Sequence, residues 1–488
     1  MSGANRASPA CAGTRGAVLT LAWRAAKRCS WALVACWSLG GCSFVPAYVR
    51  PPAPVPPQWR AQPATQATAP LPAWQTMFSD PQLRQLIAQA LENNRDLRIA
   101  VQRVDEARAL FGVASAELWP TLGLQGTTQR QQLSALDSPT GSRLINEQGR
   151  FRLGIGITAY ELDIWGRVRA LRESAGQQLL ATEEDARAVQ IGLLAEVAGA
   201  YYEALAYLSL RERHGQLMAA GERSLALIER RRGQGLASEL EVRQAGALVL
   251  GLAGEQASAE RGYVLALNRL ELLSGAAVAA DQLRPAVLEG GHGLAPVAAG
   301  LPSLLLAQRP DVRAAEARLK AYNANIGAAR AAYLPRISLT GLLGFSSPEL
   351  NQLFRGGARA WSFAPEVTLP VFDLGRRASQ LALAKAQREI AVSEYERAIQ
   401  RAFREVADAL GSAEPLSREL EAQRLLVANE QRRVELATLL YEDGLNSYLE
   451  VLDAQRSLSA AQQGFIRARL AGVSNSLSLY KALGGGWG

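Results

Sequence analysis

The stretch RPDVRAAEARLKAYNANIGAARAAYLPRISLTG, Arg309–Gly341, occurs twice in this chain. Moved back by 215 positions, Asp311 falls on Asp96, Arg313 on Arg98, Arg318 on Arg103 and Gly327 on Gly112. Pro335 then falls on Pro120, Leu339 on Leu124 and Gly341 on Gly126, with no gap from Asp96 to Gly126. Both copies change period at the proline, from helical spacing before it to alternation after it. Each copy therefore predicts a helix that runs into a strand, with a residue at the joint that cannot continue a helix. A repeat of this length makes the molecule one body of two similar halves.

Beyond each proline the alternation continues. Phe151, Leu153, Ile155, Ile157 and Ala159 alternate with Arg152, Gly154, Gly156, Thr158 and Tyr160. In the second half Trp361, Phe363, Pro365, Val367 and Leu369 alternate with Ser362, Ala364, Glu366 and Thr368. One apolar and one polar face suits a strand of a membrane barrel. A soluble two-layer sheet with one wet face has the same period, and alternation alone leaves the two open. Between the first two strands, Ser138-Pro139-Thr140-Gly141-Ser142 predicts a surface loop. Each strand pair ends in a matched corner, Leu162-Asp163-Ile164-Trp165-Gly166-Arg167 and Phe372-Asp373-Leu374-Gly375-Arg376, where the aspartate can cap the next helix.

Very long helices are expected after the corners. From Arg167 to about Arg232 there is no proline, enough for roughly 100 Å of helix at 1.5 Å per residue. The counterpart from Arg376 to about Glu442 is comparable, although Gly411-Ser412 and Pro415 predict a kink or break. Glycine-centred breakers follow, Gly233-Gln234-Gly235-Leu236 and Gly444-Leu445-Asn446-Ser447, and shorter helices return. The chain thus divides into two repeats, 74–300 and 301–488. The first holds strands at about 121–130 and 151–163 and a helix hairpin over 167–275. The second holds strands at about 336–347 and 358–373 and a hairpin over 376–483. Four strands do not close a barrel, which needs about eight or more, so two or three copies would have to share one.

The amino terminus predicts export. Arg24, Lys27 and Arg28 precede an apolar run, Trp31–Leu39, too short to cross a bilayer. The run ends Leu39-Gly40-Gly41-Cys42, which resembles a bacterial lipobox. Residues 1–41 are expected to be a signal peptide and Cys42 to carry an N-acyl diacylglycerol. All four cysteines, Cys11, Cys29, Cys36 and Cys42, lie at or before that point, which excludes disulfides and thiol catalysis in the mature chain. Ser43, rather than an aspartate, follows the cysteine, as in lipoproteins sent to the outer membrane. Residues 42–73, with Pro46, Pro51, Pro52, Pro54, Pro56 and Pro57, predict an extended tether rather than a packed element.

The formal charge of +8 does not make this a nucleic-acid-binding protein. Five of the 53 basic residues and none of the 45 acidic ones precede residue 42, so the mature charge is about +3. Arginine and glutamate are interspersed along the helices, as on solvated helix faces. An enzyme is disfavoured too. The mature chain has two histidines, His214 and His292, and lacks HExxH, GxSxG and GxxxxGK[ST], so no catalytic residue and no metal site is expected.

Taken together, several motifs are specific. They are Phe78-Ser79-Asp80-Pro81, Asn94-Arg95-Asp96-Leu97, the two corners, Arg309–Glu316, Ile326-Gly327 through Pro335, Gly444 through Gln455, and Tyr480-Lys481-Ala482-Leu483-Gly484. Over essentially the whole mature chain the sequence resembles the outer-membrane factor (TolC-like) family, in its NodT-type efflux lipoprotein branch. The resemblance implies a mixed α/β membrane protein. Three chains would each give four strands to a twelve-stranded outer-membrane barrel, continuous with a long periplasmic α-helical barrel. It implies a passive exit duct of a tripartite efflux system, fed by an inner-membrane pump through a periplasmic adaptor. The alternative is the outer-membrane component of type I protein secretion. Beyond the lipid on Cys42 it implies no cofactor.

Two groups of site residues follow from the resemblance. Leu449, Glu450 and Asp453 match positions that line the periplasmic gate. Gly235, Ser238, Gly444 and Ser447 match the tips that meet the adaptor. Glu450 and Asp453 are three apart and share a helix face. Three copies would set six carboxylates round a narrow axis, favouring cations and raising some of their pKa values by repulsion. The first repeat has Glu241 and Gln244 instead, so the two hairpins are not equivalent.

Overall fold

The chain order of elements follows the repeat. A short helix α1 (Trp74–Met77) precedes α2 (Pro81–Asn93), α3 (Arg95–Ala116), strands β1 (Leu122–Gln132) and β2 (Glu147–Glu161), α4 (Arg167–Gly233) and α5 (Glu239–Ser274). The second series is α6 (Pro310–Ala331), β3 (Arg336–Ser347), β4 (Arg359–Thr368), α7 (Arg376–Glu442) and α8 (Tyr448–Ala482). This computed structural model describes residues 43–56, 59, 72–132, 147–279, 283–284, 288, 294–295 and 308–485. The expected signal segment 1–41, Cys42, His292 and the expected loop at 138–142 lie outside the described residues.

The chain forms two compact units. One takes its described residues from Met1–Tyr48, Phe111–Ala175 and Ala321–Arg388, the other from Val49–Leu110, Gly176–Lys320 and Glu389–Gly488. Each unit draws on both halves of the sequence, so the spatial division cuts across the repeats instead of falling between them.

The first unit holds one antiparallel sheet in the order β1-β2-β3-β4. Its rows show how alternation becomes two faces. Leu124, Ile155, Leu343 and Trp361 are paired across the four strands, and so are Gln125, Gly154, Gly344 and Ala360 on the opposite face. A bulge between Ile157 and Tyr160 places Ala159 at φ 49°, and the Ala159 N–H donates to Thr340 Oγ1 at 3.2 Å. The middle strands approach so closely that a Cβ on Gly344 would lie 2.2 Å from the Leu153 carbonyl oxygen. β2 starts at Glu147, before the expected Phe151, because the polar residues Glu147–Arg150 are held by a ladder to Gln129–Gln132 that hydropathy does not register. β4 stops at Thr368 rather than reaching 373, since Pro370 has no N–H to give a ladder.

The corners are capped as their residues dictate. Asp163 accepts from the Val168 and Arg169 N–H groups at 3.0 and 2.8 Å, and Asp373 from Gly375 and Arg377 at 3.2 Å each. Trp165 Nε1 donates to the Pro335 carbonyl at 2.8 Å and so ties the first corner to the second repeat's helix–strand joint.

α4 and α7 are each 67 residues long. Of the kink or break expected at Gly411-Ser412 and Pro415, the break does not occur, and α7 runs through Pro415. Proline removes one helical hydrogen bond and crowds the carbonyl four residues earlier. That carbonyl belongs to Gly411.

In the second unit one core joins α1, α2, α4, α5 and α8 through Met77, Ile87, Tyr201, Leu270, Val473 and Tyr480. Fully burying side chains of this size is worth roughly 1.5–3 kcal/mol each. Asp80 caps α2 by accepting from the Gln82 N–H at 2.9 Å, and the Tyr201 hydroxyl donates to the same carboxylate. Arg309 is buried where it donates to Asp311, to Glu405 at 2.8 Å and to the Ala482 carbonyl at 2.7 Å. The RPD motif therefore fastens the start of α6 to α7 and to the end of α8.

The expected free tether is extended but packed. Asn323 Nδ2 donates to the Pro46 carbonyl at 2.7 Å, and a Cβ on Gly327 would meet Val45 Cγ2 at 2.5 Å. Further along, Arg50 donates to Glu316, and Trp59 stacks on Phe403 with centroids 4.6 Å apart. Proline content sets the backbone's extension and says nothing about the surface it lies on. Burial alone would push Glu316 up, but the hydrogen bonds and charges of Arg50 and Lys320 hold its carboxyl below the usual range.

Candidate functional site

The expected site residues gather at two helix turns, one in each repeat. α4 ends in a left-handed glycine, Gly235 at φ 75°, and α7 in Gly444 at φ 73°. The Gly235 N–H donates to the Arg232 carbonyl at 2.9 Å and the Leu236 N–H to the Arg231 carbonyl at 2.8 Å. The second turn repeats this, with Gly444 to Tyr441 at 3.1 Å and Leu445 to Leu440 at 2.8 Å. Both are Schellman ends, which need a residue free of a Cβ penalty at positive φ. Each glycine is followed by an exposed leucine, Leu236 at 73% and Leu445 at 71%.

The return helices begin differently. Ser238 Oγ accepts from the Glu241 N–H at 3.2 Å, and the Ser238 N–H donates to Glu241 Oε2 at 2.6 Å. This is a complete capping box. Ser447 stands at the equivalent place with no side-chain cap bond. The side chain of Glu450, the counterpart of Glu241, has no hydrogen-bond or ion-pair partner among the described residues, while its N–H donates to the Ser447 carbonyl at 3.2 Å.

α8 presents two faces at its start. Tyr448, Val451 and Leu452 are buried in a core shared with Ile228 of α4, Leu248 of α5 and Tyr441 of α7. Tyr441 and Tyr448 have centroids 5.2 Å apart, and the Arg231 guanidinium lies 4.9 Å from the Tyr441 centroid. Leu449, Glu450 and Asp453 are exposed on the other side. The structure therefore brings the three expected gate residues together on one surface of one helix.

Asp453 is paired within its own chain. Arg433 of α7 donates to it, and also to Glu430 Oε2 and Ser457 Oγ at 3.3 Å each. Those hydrogen bonds, to Asp453 first and Glu430 second, raise the Arg433 pKa. Sequence reading missed Arg433. The available signal was hairpin geometry: in antiparallel helices, residues at similar distances from the turn face one another, and an arginine spans the small remaining offset.

His214 lies elsewhere, in α4, 3% exposed, with Nδ1 3.2 Å from Glu255 Oε2. Burial lowers its pKa, and the Glu255 charge opposes that. Among the described residues no group of three or more His, Cys, Asp or Glu could hold a metal ion. No helix of the described residues is long and apolar enough to cross a membrane.

A sheet with one apolar and one polar face, helices of 67 residues, and paired hairpin turns with exposed ends mark the component of a channel. Comparison with known proteins identifies which kind. The family model described as outer membrane efflux protein matches residues 86–276 and 301–485, and the chain belongs to that family. It is similar to the solvent efflux pump outer membrane protein SrpC of Pseudomonas putida, 44% identical over 457 residues, covering 92% of this chain and 96% of that one. Among solved structures it is similar to a membrane protein from Pseudomonas aeruginosa, with TM-score 0.84 and 41% identity over 91% of this chain and 98% of that chain. It is also similar to the open state of the MtrE outer membrane channel of Neisseria gonorrhoeae, with TM-score 0.81 and 33% identity over 91% and 99% of the two chains. The protein is thus an outer-membrane channel component of an efflux system, in a family of channels rather than enzymes.

Proposed function

We propose that three copies of this chain close one twelve-stranded barrel in the outer membrane and continue it as a helical duct into the periplasm. The observation that carries this reading is the sheet itself. Its outer strands β1 and β4 each pair on one side only, and open edges cannot persist in lipid. The apolar row Leu124, Ile155, Leu343 and Trp361, each more than half exposed, would face the acyl chains. The duct is passive and uses no catalytic residue, metal or cofactor. It takes substrates that an inner-membrane pump delivers through a periplasmic adaptor.

The turns at Gly235–Ser238 and Gly444–Ser447 are the adaptor-facing tips, with Leu236 and Leu445 as their apolar contact points. Leu449, Glu450 and Asp453 form the periplasmic gate. The Arg433–Asp453 bridge holds the second hairpin closed, and Glu450 supplies the unpaired charge that favours cations. Cys42 carries the diacylglycerol that anchors each chain beside the barrel. Conductance of the purified, lipidated protein in a planar bilayer tests this reading. Discrete, cation-selective steps of small size are expected, growing when Arg433 is replaced by alanine. Protein that inserts but passes no current with either chain would refute it.

A further inference from the structure

The two ends of the sheet treat their arginines differently. This inference rests on the reading of the sheet as part of an outer-membrane barrel. β2 runs into α4 and β4 into α7, so the end at Glu161 and Thr368 faces the periplasm and the end at Arg130 and Arg359 faces outward. At the periplasmic end Glu161 accepts from Arg167 at 2.8 and 2.7 Å and from Arg336 at 2.6 Å. Asp163 and Asp373 take Arg169 and Arg377. Arg376, beyond the strands at the start of α7, is exposed and has no side-chain partner among the described residues. At the outward end Arg130, Arg355 and Arg359 are all exposed, and none has a side-chain partner among the described residues. Glu349, the acid of the β3–β4 connection, accepts instead from Gln352 Nε2 at 2.8 Å.

The ladder register sets Arg359 on the lipid-facing side. It lies in the row Gly126, Leu153, Phe345 and Arg359, which follows the apolar row of Leu124, Ile155, Leu343 and Trp361 on the same face. From Ile337 to Phe345 the chain climbs about 27 Å at about 3.4 Å per residue. At a strand tilt near 40° that is about 20 Å of height, against an apolar band about 25 Å tall in barrels of this kind. Arg359 therefore stands at the top of the band, level with the headgroups of the outer leaflet. A charge among the acyl chains would be costly, and at that level it is tolerated.

The connection between β3 and β4 folds back onto this face. Phe354 meets Phe345 edge-on, with centroids 5.5 Å apart. The Ala358 N–H donates to the Arg355 carbonyl at 3.1 Å, closing a turn that returns Arg355 to the top of β4. Arg355 and Arg359 thus border an apolar platform in which Phe354 is 68% and Trp361 77% exposed.

We infer that Arg355 and Arg359 hold a phosphate of the glycolipid that forms the outer leaflet, with its acyl chains laid on Phe354 and Trp361. A guanidinium stays charged at any physiological pH, and its fork of N–H donors matches the oxygens of a phosphate. Basic side chains beside a membrane surface attract anionic headgroups, provided no acid of the protein already neutralises them. The pairing of arginines with Glu161, Asp163 and Asp373 meets that condition at the outward end and not among those residues of the periplasmic end. The asymmetry of the sheet thus follows the asymmetry of the membrane, whose outer leaflet is a phosphorylated glycolipid and whose inner leaflet is phospholipid.

Arg152 supplies a matched control. It too is exposed and has no side-chain partner among the described residues, and it pairs with Ser346 beside Phe345, but on the opposite face of the sheet. Native mass spectrometry of the full-length protein in detergent, titrated with bisphosphorylated lipid A or with phosphatidylglycerol, reads the site. Lipid A should bind the wild type at least tenfold more tightly than the double variant Arg355→Gln with Arg359→Gln. Arg152→Gln should bind it like the wild type, and lysine at both 355 and 359 should keep most of the affinity. Phosphatidylglycerol should bind the wild type and the glutamine pair equally weakly. If the glutamine pair does not assemble, Arg359→Gln alone reads the same loss. Equal lipid A binding by the wild type and the glutamine variants would overturn the site, as would an equal loss in Arg152→Gln. A matching loss of phosphatidylglycerol would overturn the assignment to the glycolipid. A monomer by native mass would overturn the barrel reading instead.

Discussion

The two hairpin turns start from one design and end in opposite states. Both helices entering them stop on a left-handed glycine followed by an exposed leucine. Position by position, Glu239, Glu241 and Gln244 of the first tip stand where the second has Tyr448, Glu450 and Asp453. At the first tip Glu239 is held by Arg232 and Arg243 at 2.7 and 2.8 Å, and Glu241 closes a capping box. At the second, Tyr448 is buried, Glu450 is unpaired among the described residues, and Asp453 bridges to Arg433. The first tip holds its acids by a capping box and by ion pairs from Arg232 of α4 and Arg243 of α5. The second fixes its base in a core and has the ion pair of Asp453 with Arg433 of α7. We propose that the two hairpins do different work, the first as a fixed post and the second as a moving part. That division goes with Glu239 against Tyr448 and Gln244 against Asp453, since Glu241 and Glu450 are the same residue type.

The largest separation between the tips should come from truncating their first helical residues. Tyr448→Ala removes a buried aromatic and is expected to cost about 3–5 kcal/mol, read as a fall in the denaturation midpoint. Glu239→Ala removes exposed ion pairs and should cost under about 1 kcal/mol. Similar losses at both sites would erase the contrast.

Conductance sharpens it next. Arg433→Ala should raise single-channel conductance severalfold while leaving the denaturation midpoint nearly unchanged, and Arg433→Lys should keep part of the closure. Glu241→Ala at the other tip should leave conductance as it was. An increase from Glu241→Ala equal to that from Arg433→Ala would make both tips gates.

Capping gives a finer test. Ser238→Ala should cost about 1 kcal/mol, read as faster amide exchange in the first turn of α5. Ser447→Ala makes no side-chain cap bond to lose and should cost only a few tenths of that. Equal acceleration in α8 would show that Ser447 caps in solution.

The smallest effect lies away from the tips and serves as their pH control. The folded pKa of Glu316 is held below 4.5. Its contribution is present above that value and lost as pH falls through the lower, folded one. The segment around Arg50 should therefore become protease-sensitive only in that acid range, and Glu316→Gln should abolish the pH dependence. Release at neutral pH would contradict the role given to this pair.

Much of this architecture was legible from residues that act locally. The repeat, the period change at Pro120 and Pro335, the aspartate-capped corners and the glycine turns all declare themselves within a few positions. What sequence left hidden were contacts between positions far apart. Arg433 and Asp453 belong to different helices, and Asn323 meets Pro46 across most of the chain. At Pro415 a kink or a break was legible, and the helix continues unbroken through it. At the proposed gate, residue types and their shared face were readable, while the counterion that neutralises one of them was not.

The central claim is that a single chain is one third of a closed wall. Native mass spectrometry of the detergent-extracted, full-length protein tests it most directly. The account predicts a particle of three chains, each carrying one diacylglycerol, that stays assembled at concentrations where a chance oligomer would dissociate. A particle of one chain, lipidated and folded, would contradict it.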